Sequence, residues 1–360
     1  MSNINIAHCR LNSQQINTGR SRNPAEVVAS LGAMQAQDYG GALWGIGLRL
    51  PGSTEKSIEM AIAERKIVRT WPMRGTLHFV ASSDVRWMLE LLTPRIIAGS
   101  RKRWEALELD NAIFKRCETL FVQELQGDRQ VSRDDLLAVL EREGIKAGPQ
   151  RGYHILWRLA QEGVICFGAR QGKQHTFALL EEWAPMVRKP EREAALATLA
   201  ERYFTGHGPA TLQDFVWWSG LKVSDARNGL QSVIGKLTKI TVNGSDYWMA
   251  PKMEECNDAS KTSFLLPGFD EYLLGYRDRS AVLQAKHAPK IVPGNNGVFR
   301  PTVVVGGQVV GTWKRDPKKA RTVMTASPFV GFKKSEKQWI TEASKNFGRF
   351  VGLPAEILFA

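Results

Sequence analysis

The chain of 360 residues has few cysteines, no long apolar run and no excess of acidic side chains. Cys9, Cys117, Cys166 and Cys256 stand singly, without the C-x-x-C spacing of a zinc ribbon or the density of a disulfide framework. We therefore expect reduced thiols. No apolar run approaches the roughly 18 residues that a membrane-spanning helix needs. The polar start of the chain lacks the apolar centre of a secretory signal. These absences predict a cytoplasmic protein without membrane contact.

Motifs for metal binding and nucleophilic catalysis are also missing. The six histidines form no His-Glu-x-x-His pair and have no cysteine at ligand spacing. Neither the Gly-x-Ser-x-Gly turn of many hydrolases nor the Gly-x-x-x-x-Gly-Lys-Ser/Thr phosphate loop occurs. The sequence therefore predicts no metal and no cofactor. Any enzymatic activity would use none of the common catalytic motifs.

Positive charge is what the sequence has in excess. Its 49 Lys and Arg against 36 Asp and Glu give a net charge of +13, which favours a polyanionic partner. Residues 1–110 carry a surplus of positive charge, residues 111–260 are balanced, and residues 261–360 carry the largest surplus. A basic face that binds nucleic acid is therefore expected to draw on both ends of the chain.

Hydrophobic spacing predicts an α+β protein with a repeated supersecondary unit. In residues 111–187, three helices precede two short strands, which is the order of a winged helix-turn-helix. The same order recurs in residues 188–260, where Asn243-Gly244 predicts a hairpin turn. It recurs again in residues 1–110, where Asn23-Pro24 begins the first helix. We therefore predict three tandem winged helix-turn-helix domains with these boundaries.

The last hundred residues, 261–360, predict a fourth, β-rich domain. Gly306-Gly307 lies between two β-branched runs and indicates a hairpin. Tyr272–Gly275 is predicted to be a further short strand. The Pro- and Gly-containing segment His287–Asn296 is predicted to be a loop, with two interpretations: a plain connection, or a tip that enters a DNA groove with Ile291 as a wedge.

A short segment, Gln35-Ala36-Gln37-Asp38, is a candidate for chemistry. Residues two apart on a helix point in different directions, so Gln35 and Gln37 can serve one site only from an extended or turn segment. The residues alone favour two solvated polar side chains at a helix end. Asp38 also has two interpretations, a carboxylate that stabilises a cation and a carboxylate at a helix start, of which the second is favoured.

Four segments in the same order resemble the AlkZ-like bacterial DNA glycosylases over nearly the whole chain. These segments are Gln35-Ala36-Gln37, Arg69–His78, Leu265–Tyr272 with Arg277–Arg279, and Val309–Lys314. The resemblance implies tandem winged helices around a concave DNA channel, a β-hairpin that probes the duplex, and Gln35 and Gln37 as catalytic residues. It also implies excision of alkylated purines, including interstrand crosslinks in some members. A sister branch has Asp at the second position, so Gln37 indicates the narrower AlkZ-type branch.

Further residues are predicted around this site and along the DNA. Arg74 and His78 are possible active-site neighbours, with a surface wing residue and a satisfied strand histidine as the respective alternatives. Basic residues in the two positively charged segments are predicted to contact phosphates. The predicted DNA-binding residues are Arg101, Lys102, Arg103, His287, Lys314, Arg315, Lys318, Lys319 and Arg321. The tryptophans expected in the core are Trp44, Trp157, Trp217 and Trp218.

We therefore expect a monofunctional DNA glycosylase, a monomer that acts on double-stranded DNA with cationic N7- or N3-alkylated purines. It would be cytoplasmic, and associated with the nucleoid when bound to DNA. The alternative is a non-enzymatic winged-helix DNA-binding protein such as a transcriptional regulator. A regulator usually dimerises to match two half-sites, and it gives no reason for Gln35-Ala36-Gln37. A nuclease is disfavoured because no acidic metal cluster is present.

Overall fold

The computed structural model describes residues 4–185, 189–253, 256, 258–318 and 320–360. The protein is α+β. It forms two compact units: a discontinuous unit, Met1–Ile58 with Leu196–Ala360, and an inserted unit, Glu59–Ala195. The division into four domains remains a prediction. In the structure, the start of the chain belongs to the same compact unit as residues 196–360.

In the N-terminal part of the discontinuous unit, three helices begin at a side chain that caps them. Asn5, Asn23 and Asp38 each accept a hydrogen bond from a backbone N–H in the first turn that follows. Pro24 occupies the first position of its helix, as predicted. The elements are α1 (Ile6–Ser13), α2 (Pro24–Leu31), the two-residue strand β1 (Met34–Gln35), α3 (Tyr39–Arg49) and α4 (Glu55–Ala63).

The inserted unit contains an antiparallel sheet with strand order β3-β2-β5-β6-β4. Its core packs the buried aromatic rings of Trp71, Trp104, Phe114 and Trp157. The helices and hairpin predicted after residue 111 are present. The elements are β2 (Ile67–Met73), β3 (Thr76–Ala81), α5 (Val85–Gly99), α6 (Arg101–Ala106), α7 (Asn111–Leu125), β4 (Val131–Ser132), α8 (Arg133–Arg142), α9 (Pro149–Gln161), β5 (Ile165–Phe167), β6 (Thr176–Leu179) and α10 (Leu180–Trp183).

The chain then completes the discontinuous unit with a helical segment, a hairpin and a five-stranded sheet of order β13-β12-β11-β10-β9. The turns predicted at Asn243-Gly244 and Gly306-Gly307 are both present, with positive φ at each residue. The elements are α11 (Arg192–His207), α12 (Leu212–Ser219), α13 (Val223–Val233), β7 (Thr238–Val242), β8 (Ser245–Met249), β9 (Ser263–Leu266), α14 (Glu271–Leu274), α15 (Ala288–Ile291), β10 (Thr302–Val305), β11 (Gln308–Pro317), β12 (Thr322–Pro328), α16 (Lys334–Val351) and β13 (Ala355–Phe359).

Two local predictions in the C-terminal half are wrong. Residues 272–275 are not a strand, because Asp270 accepts a hydrogen bond from the Tyr272 N–H and starts the short helix α14. The predicted loop after His287 contains α15, and Ile291 is 1% exposed in the core, so it is not a wedge. Apolar contacts within the folded unit outweigh the Pro and Gly signals that indicated an open loop.

Trp217 and one cysteine pair also depart from expectation. Trp44, Trp157 and Trp218 are buried as predicted, whereas Trp217 is 45% exposed. The sulfur atoms of Cys9 and Cys256 are joined as a disulfide, with Cα atoms 5.1 Å apart. The prediction of four unpaired thiols is therefore wrong for this pair. The positions of four isolated cysteines in the sequence could not show that α1 packs beside the segment after β8.

Candidate active site

The Gln35-Ala36-Gln37 segment begins at the last residue of β1, leads towards α3 and is not helical. This is the condition under which two glutamines with this spacing can serve one site. Gln35 is 9% exposed, whereas Gln37 is exposed to solvent. Asp38 Oδ1 accepts the Gly41 N–H at 3.2 Å and caps α3. Asp38 thus occupies the helix-start position that the sequence analysis favoured for it.

A buried carboxylate, Glu271, lies against this segment. The backbone N–H of Gln35 donates to Glu271 Oε1 at 3.2 Å. Glu271 Oε2 accepts the indole N–H of Trp218 at 2.9 Å and lies 3.2 Å from His207 Nε2. Glu271 is 1% exposed and His207 fully buried. The carboxylate therefore joins the glutamine segment to α11 and α12.

The residue before Glu271 makes a second connection to α3. Arg49, at the end of α3, donates from Nη1 and Nη2 to the two carboxylate oxygens of Asp270 at 2.8 and 2.9 Å. Arg49 also donates to the Gln14 and Gly45 backbone carbonyls and to Gln14 Oε1. Both charged side chains are almost fully buried. This bidentate geometry fixes the end of α3 relative to α14.

The Tyr276 hydroxyl group belongs to the buried polar network around Glu271. Tyr276 OH accepts from Gln14 Nε2 at 3.0 Å and donates to the His207 carbonyl at 2.6 Å. Gln14 Nε2 also donates to the Glu271 carbonyl at 3.2 Å. Burial raises the pKa of Tyr276 and of Tyr272, so both remain neutral hydrogen-bond donors.

The C-terminal hairpin formed by β11 and β12 brings a predicted DNA-binding residue to the start of α3. A Cβ added at Gly40 would lie 2.6 Å from Nη2 of Arg315, so glycine there permits a close approach by the guanidinium group. Arg315 also lies over the Phe347 ring, 5.7 Å from its centroid. Gly40 is three residues beyond Gln37, so this cation lies close to the candidate site.

Three other predicted phosphate contacts, Lys314, Lys318 and Arg321, lie on or next to the strands of this hairpin. Lys314 is exposed on β11. Lys318 forms an ion pair with Asp316 at 2.6 Å, and Arg321 forms one with Glu356 at 3.4 Å. Lys319 lies outside the described residues. His287 is 9% exposed and its ring stacks on Phe329 at 4.4 Å, a position that leaves little of the ring for a phosphate.

In the inserted unit, Arg74 and His78 lie together. Arg74 is in the β2–β3 turn with φ of 54°, and its Nη2 is 3.3 Å from His78 Nε2. His78 is fully buried, and its Nδ1 is 2.9 Å from the Thr76 carbonyl. His78 therefore has the partners of a satisfied strand histidine. Arg101, Lys102 and Arg103 form the exposed first turn of α6, where Arg103 also contacts Gln150.

His175 in the same unit has a strongly shifted pKa. Burial, together with the nearby Arg69 and Arg170 guanidinium groups, lowers the pKa of His175 to about 4. Arg69 Nη1 lies 3.3 Å from His175 Nε2, an arrangement in which the cation donates to a neutral imidazole. No role for His175 could be predicted from the sequence, because Arg69 lies 106 residues away in the chain and only packing brings it to the His175 ring.

Glu271 and His207 were also missed as site residues. The only sequence signal for Glu271 was its place in the Leu265–Tyr272 segment that resembles the AlkZ-like proteins, and this signal assigned it no role. Among the described residues, no group of three or more His, Cys, Asp or Glu is arranged to hold a metal ion. In the same part of the chain, no helix is long and apolar enough to cross a membrane.

Comparison with known proteins identifies the family. The sequence model described as "DNA glycosylase AlkZ-like" matches residues 28–350. A Streptomyces sahachiroi protein named "Interstrand DNA cross-link repair glycosylase" is 28% identical over 335 residues, which is 85% of each chain. The fold matches the solved structure of Streptomyces sahachiroi DNA glycosylase AlkZ with a TM-score of 0.82, at 24% identity and over 98% of each chain. The resemblance inferred from four short segments is thus confirmed, and the chain belongs to the AlkZ-like family of DNA glycosylases.

Proposed function

We propose that this protein is a monofunctional DNA glycosylase that hydrolyses the N-glycosidic bond of cationic alkylated purines in double-stranded DNA. The observation that carries the proposal is the Gln35-Ala36-Gln37 segment. It is non-helical, anchored at its buried glutamine and exposed at its second glutamine, in a chain of the AlkZ-like family.

The proposed chemistry needs no general acid. A purine alkylated at N7 or N3 carries a positive charge, so it leaves the sugar as a neutral base. The enzyme must then stabilise an oxocarbenium-like sugar and hold a water molecule for attack. A glutamine amide can accept a hydrogen bond from that water through its carbonyl oxygen while its NH2 group is held by a neighbour. The proton that the water loses on attacking the sugar cation passes to solvent. Catalysis of this kind rests on positioning and preorganised dipoles.

We assign the water to Gln37 because its side chain reaches solvent, whereas the buried Gln35 supports the segment from within. Asp38 already caps α3 through Gly41, so we assign it to the helix start rather than to the sugar cation. The activity should fall steeply for neutral damaged bases, because such a base must either leave as an anion or be protonated as it leaves.

The helix-helix-helix-hairpin orders at residues 111–179 and 192–249 support the proposal of tandem winged helices, with the third at residues 22–81. Winged helices bind DNA, and the basic C-terminal hairpin would add phosphate contacts next to the site through Arg315. We propose that one chain suffices for this interface, so that the enzyme acts as a monomer. The name of the Streptomyces relative supports testing interstrand crosslinks as further substrates.

The test is base release from a duplex with one N7-methylguanine under single-turnover conditions. We expect release by the wild type, and a loss of at least about 100-fold in Gln37→Ala with DNA affinity within about twofold. Gln35→Ala should also lose most of its rate. Gln126→Ala, which removes an exposed glutamine at the end of α7, is the matched control and should keep the wild-type rate.

The alternative function, DNA binding without catalysis, gives a different result. All of these proteins would then bind the duplex and none would release the methylated base, or an adduct from a crosslinked duplex tested in parallel. Release of a neutral base such as uracil at a comparable rate would instead contradict the proposed cationic leaving group.

A further inference from the structure

We propose that Glu271 is a positioning residue for base excision, fixing the backbone from which Gln35 and Gln37 project. This inference rests on the proposed function. Glu271 lies 236 residues from Gln35 in the sequence, yet its Oε1 accepts the Gln35 backbone N–H in a buried environment. Glu271 contacts the main chain of the segment, so it influences the orientation of both glutamine side chains.

Hydrogen bonds hold the segment at both of its ends. Glu271 holds the Gln35 N–H, and the Asp38 cap on Gly41 holds the beginning of α3. Only Ala36 and Gln37 lie between these anchors. A change in the backbone at Gln35 therefore redirects Gln37 as well, since the two residues that separate the anchors cannot absorb it independently. Displacements of about 1 Å in a catalytic group can reduce rates about 100-fold.

The neighbours of the carboxylate explain why the residue is an acid. Gln35 and Trp218 present N–H donors to Glu271, one to each oxygen. His207 Nε2 is near the second oxygen, and within the described part of the chain His207 Nδ1 has no hydrogen-bond partner. With a hydrogen on Nε2, His207 is thus a third donor. An ionised carboxylate only accepts hydrogen bonds, whereas an amide would direct its NH2 group at one of these donors.

The adjacent Asp270 makes the position of Glu271 rigid. Asp270 is paired with Arg49 at the far end of α3, through two hydrogen bonds of 2.8 and 2.9 Å. The Asp270-Glu271 dipeptide therefore holds both the end of α3 and the segment that precedes α3. A site held at both ends by one dipeptide keeps its geometry without help from the bound DNA.

The decisive experiment compares Glu271→Gln with Thr93→Val. Both variants change one buried polar side chain, but Thr93 lies on α5 of the inserted unit, where its hydroxyl contacts the Leu89 and Gln161 carbonyls at 2.8 and 3.0 Å. For each variant we would measure melting temperature, affinity for undamaged duplex, single-turnover release of N7-methylguanine and hydrogen exchange at the Gln35 amide. Glu271→Asp keeps the charge but shortens the side chain, so it tests the contact with the Gln35 N–H in a second way.

We expect Glu271→Gln to lower the excision rate at least about tenfold, with duplex affinity within about twofold and faster exchange at Gln35. Thr93→Val should melt at a reduced temperature and keep the wild-type rate. Glu271→Asp should lose rate even if it is the only Glu271 variant that folds. Equal rates in wild type and the Glu271 variants, or equal losses in Thr93→Val, would overturn this inference alone. Absence of base release by the wild type on every alkylated duplex would overturn the proposed function and this inference with it.

Discussion

The buried ion pair between Arg49 and Asp270 should be strongly coupled. We predict that Arg49→Met and Asp270→Asn each destabilise the protein severely, and that the double variant is less destabilised than the sum of the two. The side chains are 0% and 3% exposed. Removing one member of such a pair leaves an uncompensated buried charge, which costs about 3–5 kcal/mol.

The magnitudes follow from the remaining partners. After Asp270→Asn, Arg49 keeps three neutral acceptors on Gln14 and Gly45, so we expect a loss of about 3 kcal/mol. After Arg49→Met, the Asp270 carboxylate keeps the Tyr272 N–H but has lost its cation, so we expect about 4 kcal/mol. The double variant has neither charge and should lose about 4 kcal/mol rather than about 7, a coupling near 3 kcal/mol.

Urea titration of the four proteins, followed by tryptophan fluorescence and far-ultraviolet circular dichroism, measures this coupling. The exposed ion pair of Lys236 with Glu201 at 2.8 Å provides a control. Lys236→Met should unfold together with the wild type, because an exposed pair contributes little. Losses that simply add in the double variant would refute the assignment of a buried, mutually dependent pair.

Three further predictions concern pH and salt. Glutamines do not titrate, so the single-turnover rate assigned to Gln35 and Gln37 should be flat from about pH 6 to about pH 9; a profile shaped by one or two ionisations would contradict the assignment. The pKa of His175 is lowered to about 4 beside Arg69, against about 6.5 when unfolded. The unfolded chain therefore binds more protons between these values, and stability falls as pH drops from about 6.5 towards 4. We expect a loss of about 1 kcal/mol between pH 7 and pH 5, after discounting for partial exposure, which disappears in His175→Phe when urea midpoints are compared. Finally, if Lys314 contacts a phosphate, Lys314→Gln should reduce the slope of log affinity against log salt by about 0.9; an unchanged slope in fluorescence anisotropy would exclude that contact.

Short sequence signals were sufficient to predict a helix start and two hairpin turns. Asn23-Pro24 begins α2, Asn243-Gly244 forms the β7–β8 turn, and Gly306-Gly307 forms the β10–β11 turn. Each depends on the conformational preference of one or two residues, so it can be read without knowing the rest of the fold. Tyr272–Gly275 was assigned to the wrong class because Asp270, paired with a distant arginine, starts a helix there.

The candidate site was likewise predicted from the sequence only in part. The sequence by itself determined the α+β class, the basic C-terminal region and the Gln35-Ala36-Gln37 segment, because composition, periodicity and a short motif are properties of neighbouring residues. Only the tertiary structure decided that Glu271 holds Gln35, across 236 positions of the chain. It also decided that Arg315 lies against Gly40. The physical reason is that a buried carboxylate acquires its role from the donors that packing brings to it, and those donors lie on elements far apart in the sequence.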